Sequence, residues 1–187
     1  IFVPVYKNEE QLKSISEVVT ELRDELNKVG VSTKFDDRET KRPGEKFAQH
    51  EIQGVPVRIT IGPKDLEKNS LEICRRDTSE KEFIQINDSV KHILQLLDQI
   101  QHNLYKKALS FRNDNISEVD NFEDFKNILE VKGGFISAHW DGTDETENKI
   151  KELTKATIRC IPEGVKSTGK CVFSGKPSEQ RVLFAKA

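Results

Sequence analysis

A cluster of basic side chains lies where a predicted strand leads into a predicted helix. The cluster consists of Arg38, Lys41, Arg42 and Lys46. The helix begins at Pro43, and the backbone N–H groups of its first turn add positive potential beside the cluster. Such a place suits a phosphate group or the edge of an exposed nucleobase. The alternative is a solvated loop in which Asp37, Glu39 and Glu45 balance the charge.

Three carboxylates accompany this cluster, at Asp36, Asp37 and Glu51. Adjacent residues on an extended strand point to opposite faces, so Asp36 and Asp37 are poor candidates for a catalytic pair of carboxylates. A carboxylate can instead accept hydrogen bonds from the Watson–Crick edge of an unpaired base, while Arg or Lys donates to it. On these residues alone, the mixture of charges favours the solvated loop, and recognition of a polar ligand stays an alternative.

Two other patterns suggest catalysis only at first sight. Residues 164 to 171 read Gly-Val-Lys-Ser-Thr-Gly-Lys-Cys, which nearly matches the phosphate-binding loop G-x-x-x-x-G-K-[ST]. Cys171 stands where the loop needs a hydroxyl, and the residues after it do not predict a helix, so we expect a surface turn. The four histidines show no H-E-x-x-H spacing; they are His50, His92, His102 and His139. The sequence thus predicts a binding module without a catalytic centre.

Composition limits the classes of partner. The 187 residues include 30 basic and 32 acidic side chains, whereas a general nucleic-acid binder is usually strongly basic. Any binding to RNA must therefore use a local patch.

Three scattered cysteines predict a reduced, cytoplasmic location, and no apolar run approaches the roughly 18 residues of a membrane span. The chain begins at Ile1 and contains no Met, so we expect a fragment of a longer protein.

The elements that position the cluster belong to a predicted α/β domain at residues 1 to 109. Apolar residues at helical spacing predict three helices, at residues 9 to 28, 43 to 52 and 87 to 108. Alternating patterns predict strands at residues 1 to 6, 31 to 35, 56 to 62, 71 to 76 and 83 to 86. The expected fold is a mixed sheet of about five strands with flanking helices, which opens with a parallel β-α-β unit.

A second, smaller unit is expected at the C-terminal end. Residues 110 to 120 are rich in Asn and Asp and predict a linker. Residues 121 to 187 then predict an α+β domain, with helices around Phe125 and Ile150. Strands are expected at residues 135 to 140, 157 to 161 and 181 to 185.

A succession of short motifs runs through both units. In the first unit they are KFDDRETKRPGEKF at 34 to 47, GVPVR at 54 to 58, IGPKDL at 61 to 66 and RRDT at 75 to 78. In the second they are AHWDG at 138 to 142, KELT at 151 to 154, IRCIP at 158 to 162 and FAKA at 184 to 187. In this order and spacing the chain resembles prolyl-tRNA synthetases of the archaeal/eukaryotic type, over essentially its whole length.

The resemblance implies the class II synthetase anticodon-binding fold followed by the C-terminal domain of that family. It also implies an intact homodimeric enzyme that uses ATP and Mg²⁺ to attach proline to tRNA(Pro). The catalytic domain would belong to the rest of the synthetase chain. We therefore expect that the present residues alone neither activate proline nor hydrolyse ATP.

The resemblance also implies a set of tRNA-binding residues. They are Asp36, Asp37, Arg38, Lys41, Arg42, Lys46, Glu51, Arg58, Arg75 and Arg76. Proline anticodons end in two guanines, whose edges offer N1–H and N2–H₂ donors beside the O6 acceptor. We expect Arg38, Lys46 and Glu51 to read these edges, and Arg75 or Arg76 to contact phosphate. His50 departs from the family, which typically has Trp at this position, so stacking is not expected there.

A zinc site of the family is degraded in this chain. The family often binds zinc through cysteines spaced C-x4-C and C-x2-C, and the matching residues here are Asp141, Thr146, Cys171 and Ser174. Only one thiol remains, whereas a structural zinc site needs four good ligands. We therefore expect no zinc, and packing by aromatic side chains in its place. The expected substitutes are Phe135, Trp140, Phe173 and Phe184.

Two alternatives stay open on the sequence alone. The first is a non-catalytic accessory or regulatory protein that reuses the anticodon-binding fold, and an ATP-binding class II domain upstream of Ile1 would exclude it. The second is a protein-interaction module that docks a partner on the helix at residues 87 to 108. Titration with tRNA would separate this second alternative from the first interpretation.

Overall fold

The computed structural model describes residues 1 to 164 and 166 to 186, which form two compact units, Ile1–Lys106 and Lys107–Ala187. Val165, in the segment that resembles a phosphate-binding loop, and Ala187, the last residue of the FAKA motif, lie outside the described residues. Within the described ranges, no helix has the length and apolar character that crossing a membrane requires.

The first unit alternates strands and helices. Its strands are β1 (Phe2–Pro4), β2 (Val57–Ile61), β3 (Ser70–Arg75) and β4 (Lys81–Gln85). Its helices are α1 (Glu9–Lys28), α2 (Pro43–Ile52) and α3 (Pro63–Glu67), and after a 3-10 turn at Ile86–Asp88 the chain enters α4 (Ser89–Asp114). The predicted α/β class is confirmed, and the bounds of α1 and α2 agree with those expected from the sequence.

The sheet of this unit has four strands in the order β1-β2-β3-β4, one fewer than expected. β1 pairs with β2 in parallel, and the other pairs are antiparallel. The expected strand at residues 31 to 35 is reduced to a single parallel bridge between Phe2 and Phe35. Its ladder consists of two hydrogen bonds, from Phe2 N to Lys34 O and from Asp36 N to Phe2 O. Because Pro4 has no backbone N–H, it cannot donate the next hydrogen bond of this ladder.

Helix α1 packs on the sheet through the stripe that its sequence predicts. The Asn8 side chain caps its first turn by accepting a hydrogen bond from Gln11 N. Its buried residues recur at helical spacing and meet the apolar residues of the strands and of α4 in one core. The α1 members are Ile15, Val19, Leu22 and Leu26, and the α4 members are Ile93, Leu96 and Ile100. This packing fixes the edge of the sheet where β1 ends.

The linker expected at residues 110 to 120 is instead regular structure. Helix α4 continues to Asp114, and β5 (Ile116–Glu118) follows at once. Asn115 ends the helix by donating from its side chain to Phe111 O, which is a local cap. β5 then pairs in parallel with β6 (Phe135–His139). The polar composition that suggested a linker reflects this cap and the exposed surface of the helix.

The second unit is the α+β arrangement expected from the sequence. Its remaining elements are α5 (Phe122–Val131), α6 (Asp144–Thr154), β7 (Ala156–Cys160), β8 (Gly169–Lys170), β9 (Pro177–Ser178) and β10 (Arg181–Lys186). The main sheet has the order β5-β6-β10-β7. Phe125 and Phe184 meet edge to face at the centre of its core, with ring centroids 5.2 Å apart. Phe135, expected to pack in this core, is 41% exposed, so that expectation was wrong.

Candidate functional site

Asp36 organises the loop between the Phe35 bridge and α2. Its side chain is fully buried and accepts two hydrogen bonds from Arg38, from Nε at 2.7 Å and from Nη2 at 2.6 Å. The Nε2 atom of His50, on α2, donates to the same carboxylate at 2.8 Å. Asp36 therefore joins the start of the loop to the helix that ends it.

The same contacts set the charge of Asp36. The hydrogen bonds from Arg38 hold the pKa of the Asp36 carboxyl well below its ordinary value, and they outweigh burial, which raises the pKa. The hydrogen bond from His50 acts in the same direction as those from Arg38. Asp36 is thus an anion at neutral pH and anchors the Arg38 guanidinium.

Lys46 also faces inward. It is 2% exposed, and its Nζ donates to the backbone oxygen of Asp36 at 2.9 Å. Lys46 and His50 are four residues apart, so they share one face of α2, and that face is turned to the loop. Asp36, Lys46 and His50 therefore shape the loop from within, whereas the sequence suggested direct base contacts for Asp36 and Lys46.

The outward side of this loop borders a cleft of about 490 Å³. Arg38, Lys41 and Arg42 line it together with Pro4 and Tyr6 at the end of β1. The loop residues form one wall of the cleft, which also includes Glu39 and part of Lys46, and Lys41 and Arg42 are exposed. The cleft is therefore a place where positive charge meets an aromatic ring, a combination that single-stranded nucleic acid prefers.

Gln49 supports this wall, and the sequence analysis missed it. Its Oε1 accepts from Lys41 Nζ at 2.9 Å and from Arg38 Nη2 at 3.1 Å, so it joins these two side chains. Its position on α2, three residues after Lys46, was the available signal, because residues three apart are neighbours on a helix surface. Asp37 stands beside this wall, with its side chain exposed and its backbone oxygen 3.5 Å from the Tyr6 hydroxyl.

Other predicted residues form a second group, on the adjacent face of α2. Glu51 Oε1 accepts from Arg58 Nη1 at 2.9 Å, and the Arg58 guanidinium lies 3.8 Å from the ring centroid of Phe47. The Glu51 side chain is 57% exposed, so it is accessible to a ligand, whereas Arg58 is buried. Arg76 is exposed nearby and borders the same small pocket.

Arg75 does not belong to this surface group, although it lies between Cys74 and Arg76, which both line the small pocket. Its guanidinium makes two hydrogen bonds of 2.8 Å to Asp77, whose side chain is 1% exposed and also accepts from Asn103 on α4. These hydrogen bonds hold the pKa of Asp77 well below its ordinary value, and those from Arg75 have the largest effect. Arg75 thus ties the sheet to α4, and Arg76 is the residue of this pair that faces solvent.

The four positions that match zinc ligands converge in the second unit. The Asp141 Oδ2 atom accepts from Thr146 Oγ1 at 2.9 Å and from Ser174 Oγ at 2.7 Å. Ser174 N also donates to the Cys171 sulfur, at 3.5 Å. Burial raises the pKa of Asp141, but the hydrogen bonds from Ser174, Thr143 and Thr146 outweigh it and lower the pKa to about 2. In the described part of the chain, no three side chains of His, Cys, Asp or Glu are grouped as metal ligands would be. These residues do not fit zinc.

Comparison with family models decides the relationship of the first unit. Residues 1 to 96 match the anticodon binding domain model, which covers the sheet, the loop and the cleft. The chain belongs to the anticodon-binding domain family. Residues 122 to 187 match the C-terminal model of prolyl-tRNA synthetase, which covers the second unit. The resemblance to both domains that the motifs indicated is therefore confirmed.

Two curated relatives align with this chain over both of its units. A proline–tRNA ligase of Christiangramia forsetii is 59% identical over 188 residues, and one of Flavobacterium johnsoniae is 57% identical over the same length. Each alignment covers 100% of this chain and 38% of the relative, so the chain spans well under half the length of these curated relatives.

A solved structure shares the fold. The crystal structure of a prolyl-tRNA synthetase from Cryptosporidium parvum, complexed with L-proline and AMP, superposes with a TM-score of 0.86 at 31% identity. The superposition covers 100% of this chain and 40% of that one. The similarity thus includes the loop and the zinc-matching segment of the anticodon-binding chain.

Proposed function

We propose that this chain reads the anticodon of a proline tRNA as the C-terminal part of a proline–tRNA ligase. The observation that carries the proposal is the cleft beside the loop at residues 38 to 43. There Arg38 and Lys41 are held on Gln49 next to the Tyr6 ring. Donors on a fixed wall suit the O6 and N7 acceptors of guanine, and nearby exposed carboxylates suit its N1–H and N2–H₂ donors. The exposed carboxylates are Glu39, which lines the cleft, Asp37 beside it, and Glu51 in the second group.

The remaining activity of the enzyme belongs to the rest of the synthetase chain. There a catalytic domain would activate proline with ATP and Mg²⁺ and transfer it to tRNA(Pro), in a cytoplasmic homodimer. The share of its relatives that this chain spans supports this division of labour. The part of the molecule described here would contribute affinity and choice of tRNA.

Variants of the cleft test the reading role. We expect Arg38→Ala, Lys41→Ala and Glu51→Ala each to weaken binding of proline tRNA by about 1–3 kcal/mol, because each removes a partner of a base edge. The loss should shrink when the matching guanine of the anticodon is also replaced, since the interaction is then already absent. Binding is measured by fluorescence anisotropy at one fixed salt concentration.

Two further variants serve as controls for charge. Lys13→Ala removes an exposed cation of α1 that does not line the cleft, and it should leave the affinity unchanged. Arg76→Ala should weaken all tRNAs alike and flatten the salt dependence, because a phosphate contact carries no sequence information. If Lys41→Ala and Lys13→Ala bind proline tRNA equally well, the bases are read elsewhere on the domain.

We also propose that the C-terminal unit folds without zinc. In place of the metal stands the Asp141 cluster, in which the hydroxyls of Thr143, Thr146 and Ser174 donate to the Asp141 carboxylate. Chelator treatment should leave the unfolding midpoint unchanged, and metal analysis should find no stoichiometric zinc. Asp141→Ala should lower the free energy of unfolding by about 1–3 kcal/mol, because three side-chain hydroxyls lose their acceptor. Glu130→Ala, on the exposed face of α5, is the control and should change little. Stoichiometric zinc in a chelator-washed sample would refute the proposal.

A further inference from the structure

Tyr6 lies between two clefts of the first unit. It lines the basic cleft of about 490 Å³ and also a second cleft of about 510 Å³. The second cleft lies at the carboxyl ends of the parallel strands β1 and β2, between the segment after Pro4 and the segment after Ile61. Ligands of open α/β sheets bind preferentially at this end of the strands.

The Tyr6 ring is held in place. It packs on the edge of the core and is half-buried, and its hydroxyl lies 3.5 Å from the backbone oxygen of Asp37. Burial and the carboxylates of Glu39 and Asp37 raise the pKa of the Tyr6 phenol, so it stays protonated and can donate. A ring fixed at both ends has little conformational entropy to lose when a flat ligand stacks on it.

The second cleft combines apolar walls with charges of both signs at its rim. Val5 and Pro63 contribute apolar surface, the exposed Lys7 and Lys64 contribute positive charge, and the exposed Glu67 contributes negative charge. Within the described ranges neither lysine takes part in an ion pair. Asp65 also borders the cleft, and its Oδ2 atom accepts a hydrogen bond from Gly62 N at 2.9 Å.

We propose that Tyr6 is a stacking platform for one more unpaired base of the anticodon loop, and that the second cleft holds this nucleotide. The proposal rests on the proposed function and extends it by one binding subsite. An RNA strand whose bases occupy the basic cleft would continue past Tyr6, because the ring borders both clefts. Its base would stack on the ring, and its phosphate would meet Lys7 or Lys64. Stacking is tolerant of sequence, so this subsite adds affinity without choosing a base.

The test uses an anticodon stem-loop RNA of proline tRNA with 2-aminopurine at single loop positions. Stacking on Tyr6 should quench the fluorescence of one position in the parent protein. Tyr6→Phe should keep the quenching and bind within about twofold of the parent, because the flat ring remains. Tyr6→Leu keeps apolar bulk against the core but has no flat face. It should lose the quenching and bind about tenfold more weakly, as should Tyr6→Ala.

The outcomes separate this inference from the proposed function. If Lys41→Ala weakens RNA binding while Tyr6→Leu and Tyr6→Ala bind and quench like the parent, the stacking platform is refuted and anticodon reading stands. If the parent binds no proline stem-loop RNA, both proposals fail. Guanosine monophosphate alone should not bind at micromolar concentration, and a micromolar site for it would overturn the assignment to RNA. Lys64→Ala should lower the salt dependence of RNA binding by about one unit of slope.

Discussion

Replacing Asp36 by alanine should destabilise the first unit by about 2–4 kcal/mol and weaken binding of proline tRNA as well. The carboxylate is fully buried and accepts hydrogen bonds from Arg38 and His50. Without it, the His50 ring keeps a buried donor with no acceptor, which is costly. The Arg38 side chain is 38% exposed and can turn to water, so the loss stays below that of a wholly buried ion pair.

The matched control is Asp37→Ala, one residue along the chain. The Asp37 side chain is exposed, so its removal should change the free energy of unfolding by less than about 0.5 kcal/mol. Urea unfolding followed by circular dichroism, with hydrogen exchange of the α2 amides, measures both variants. Equal stability of the two variants would show that Asp36 does not hold the loop.

The dependence on pH follows from the direction of the pKa shift. The pKa of Asp36 is lower in the folded state than its unfolded value of about 3.9. Its contribution to stability is therefore fully present above that unfolded pKa and is lost as the pH falls through the folded pKa. The parent should lose the stabilising contribution of Asp36 as the pH falls below about 4. Asp36→Asn has no carboxylate at this position, so its stability should not show this loss. An unchanged acid profile in Asp36→Asn would contradict the shift.

Local sequence patterns predicted most of the fold, because the spacing of nearby apolar residues and the residues at helix ends specify the helices. The periodic apolar stripe of α1 and the Pro43 start of α2 gave helices whose bounds agree with the structure. The segment at residues 31 to 35 has a strand-like pattern, but it finds only Phe2 as a partner. Strand pairing depends on distant residues, which a local pattern does not contain.

The sequence predicted the candidate site as a group of residues. It did not predict which of these residues are buried and which line the cleft. The sequence placed Arg38, Lys41 and Lys46 in one basic cluster. The structure turns Lys46 inward to the Asp36 backbone and leaves the other two on Gln49. Which residue is buried depends on the packing of α2 against the loop. The partnership of Asp36 with His50 spans 14 residues, and sequence spacing does not reveal such a pair.

The Asp141 cluster is a second case in which sequence spacing does not reveal contacts between residues that are distant in the chain. The resemblance supplied the four positions, and their convergence is visible only in the fold, where Ser174 donates to a carboxylate 33 residues away. Sequence reasoning could state that thiols were lost, because ligand types follow from residue types. The hydrogen bonds that take their place depend on the side chains that the fold brings together.

Substituting Gly169 by alanine should destabilise the second unit by about 3 kcal/mol, through overpacking of a buried histidine. A Cβ at Gly169 would clash with three ring atoms of His139, namely Nε2, Cδ2 and Cε1. The His139 ring has little room to move, since it is 3% exposed and is held between Ser178, 3.2 Å from Nδ1, and Ser167, 3.4 Å from Nε2. Gly169 is therefore required by the close approach of the ring.

A double-mutant cycle tests that cause directly. If the ring is the obstacle, adding His139→Ala should recover part of the loss, with a favourable coupling of about 1–3 kcal/mol, because the new methyl group enters vacated space. The chain has one tryptophan, Trp140, which follows His139, so its fluorescence during urea unfolding reports on this unit. Gly44→Ala is the control, since a Cβ there meets nothing within 4 Å, and it should leave the Trp140 transition in place. Strictly additive effects of Gly169→Ala and His139→Ala would show that the two residues are not in the contact that the structure assigns to them.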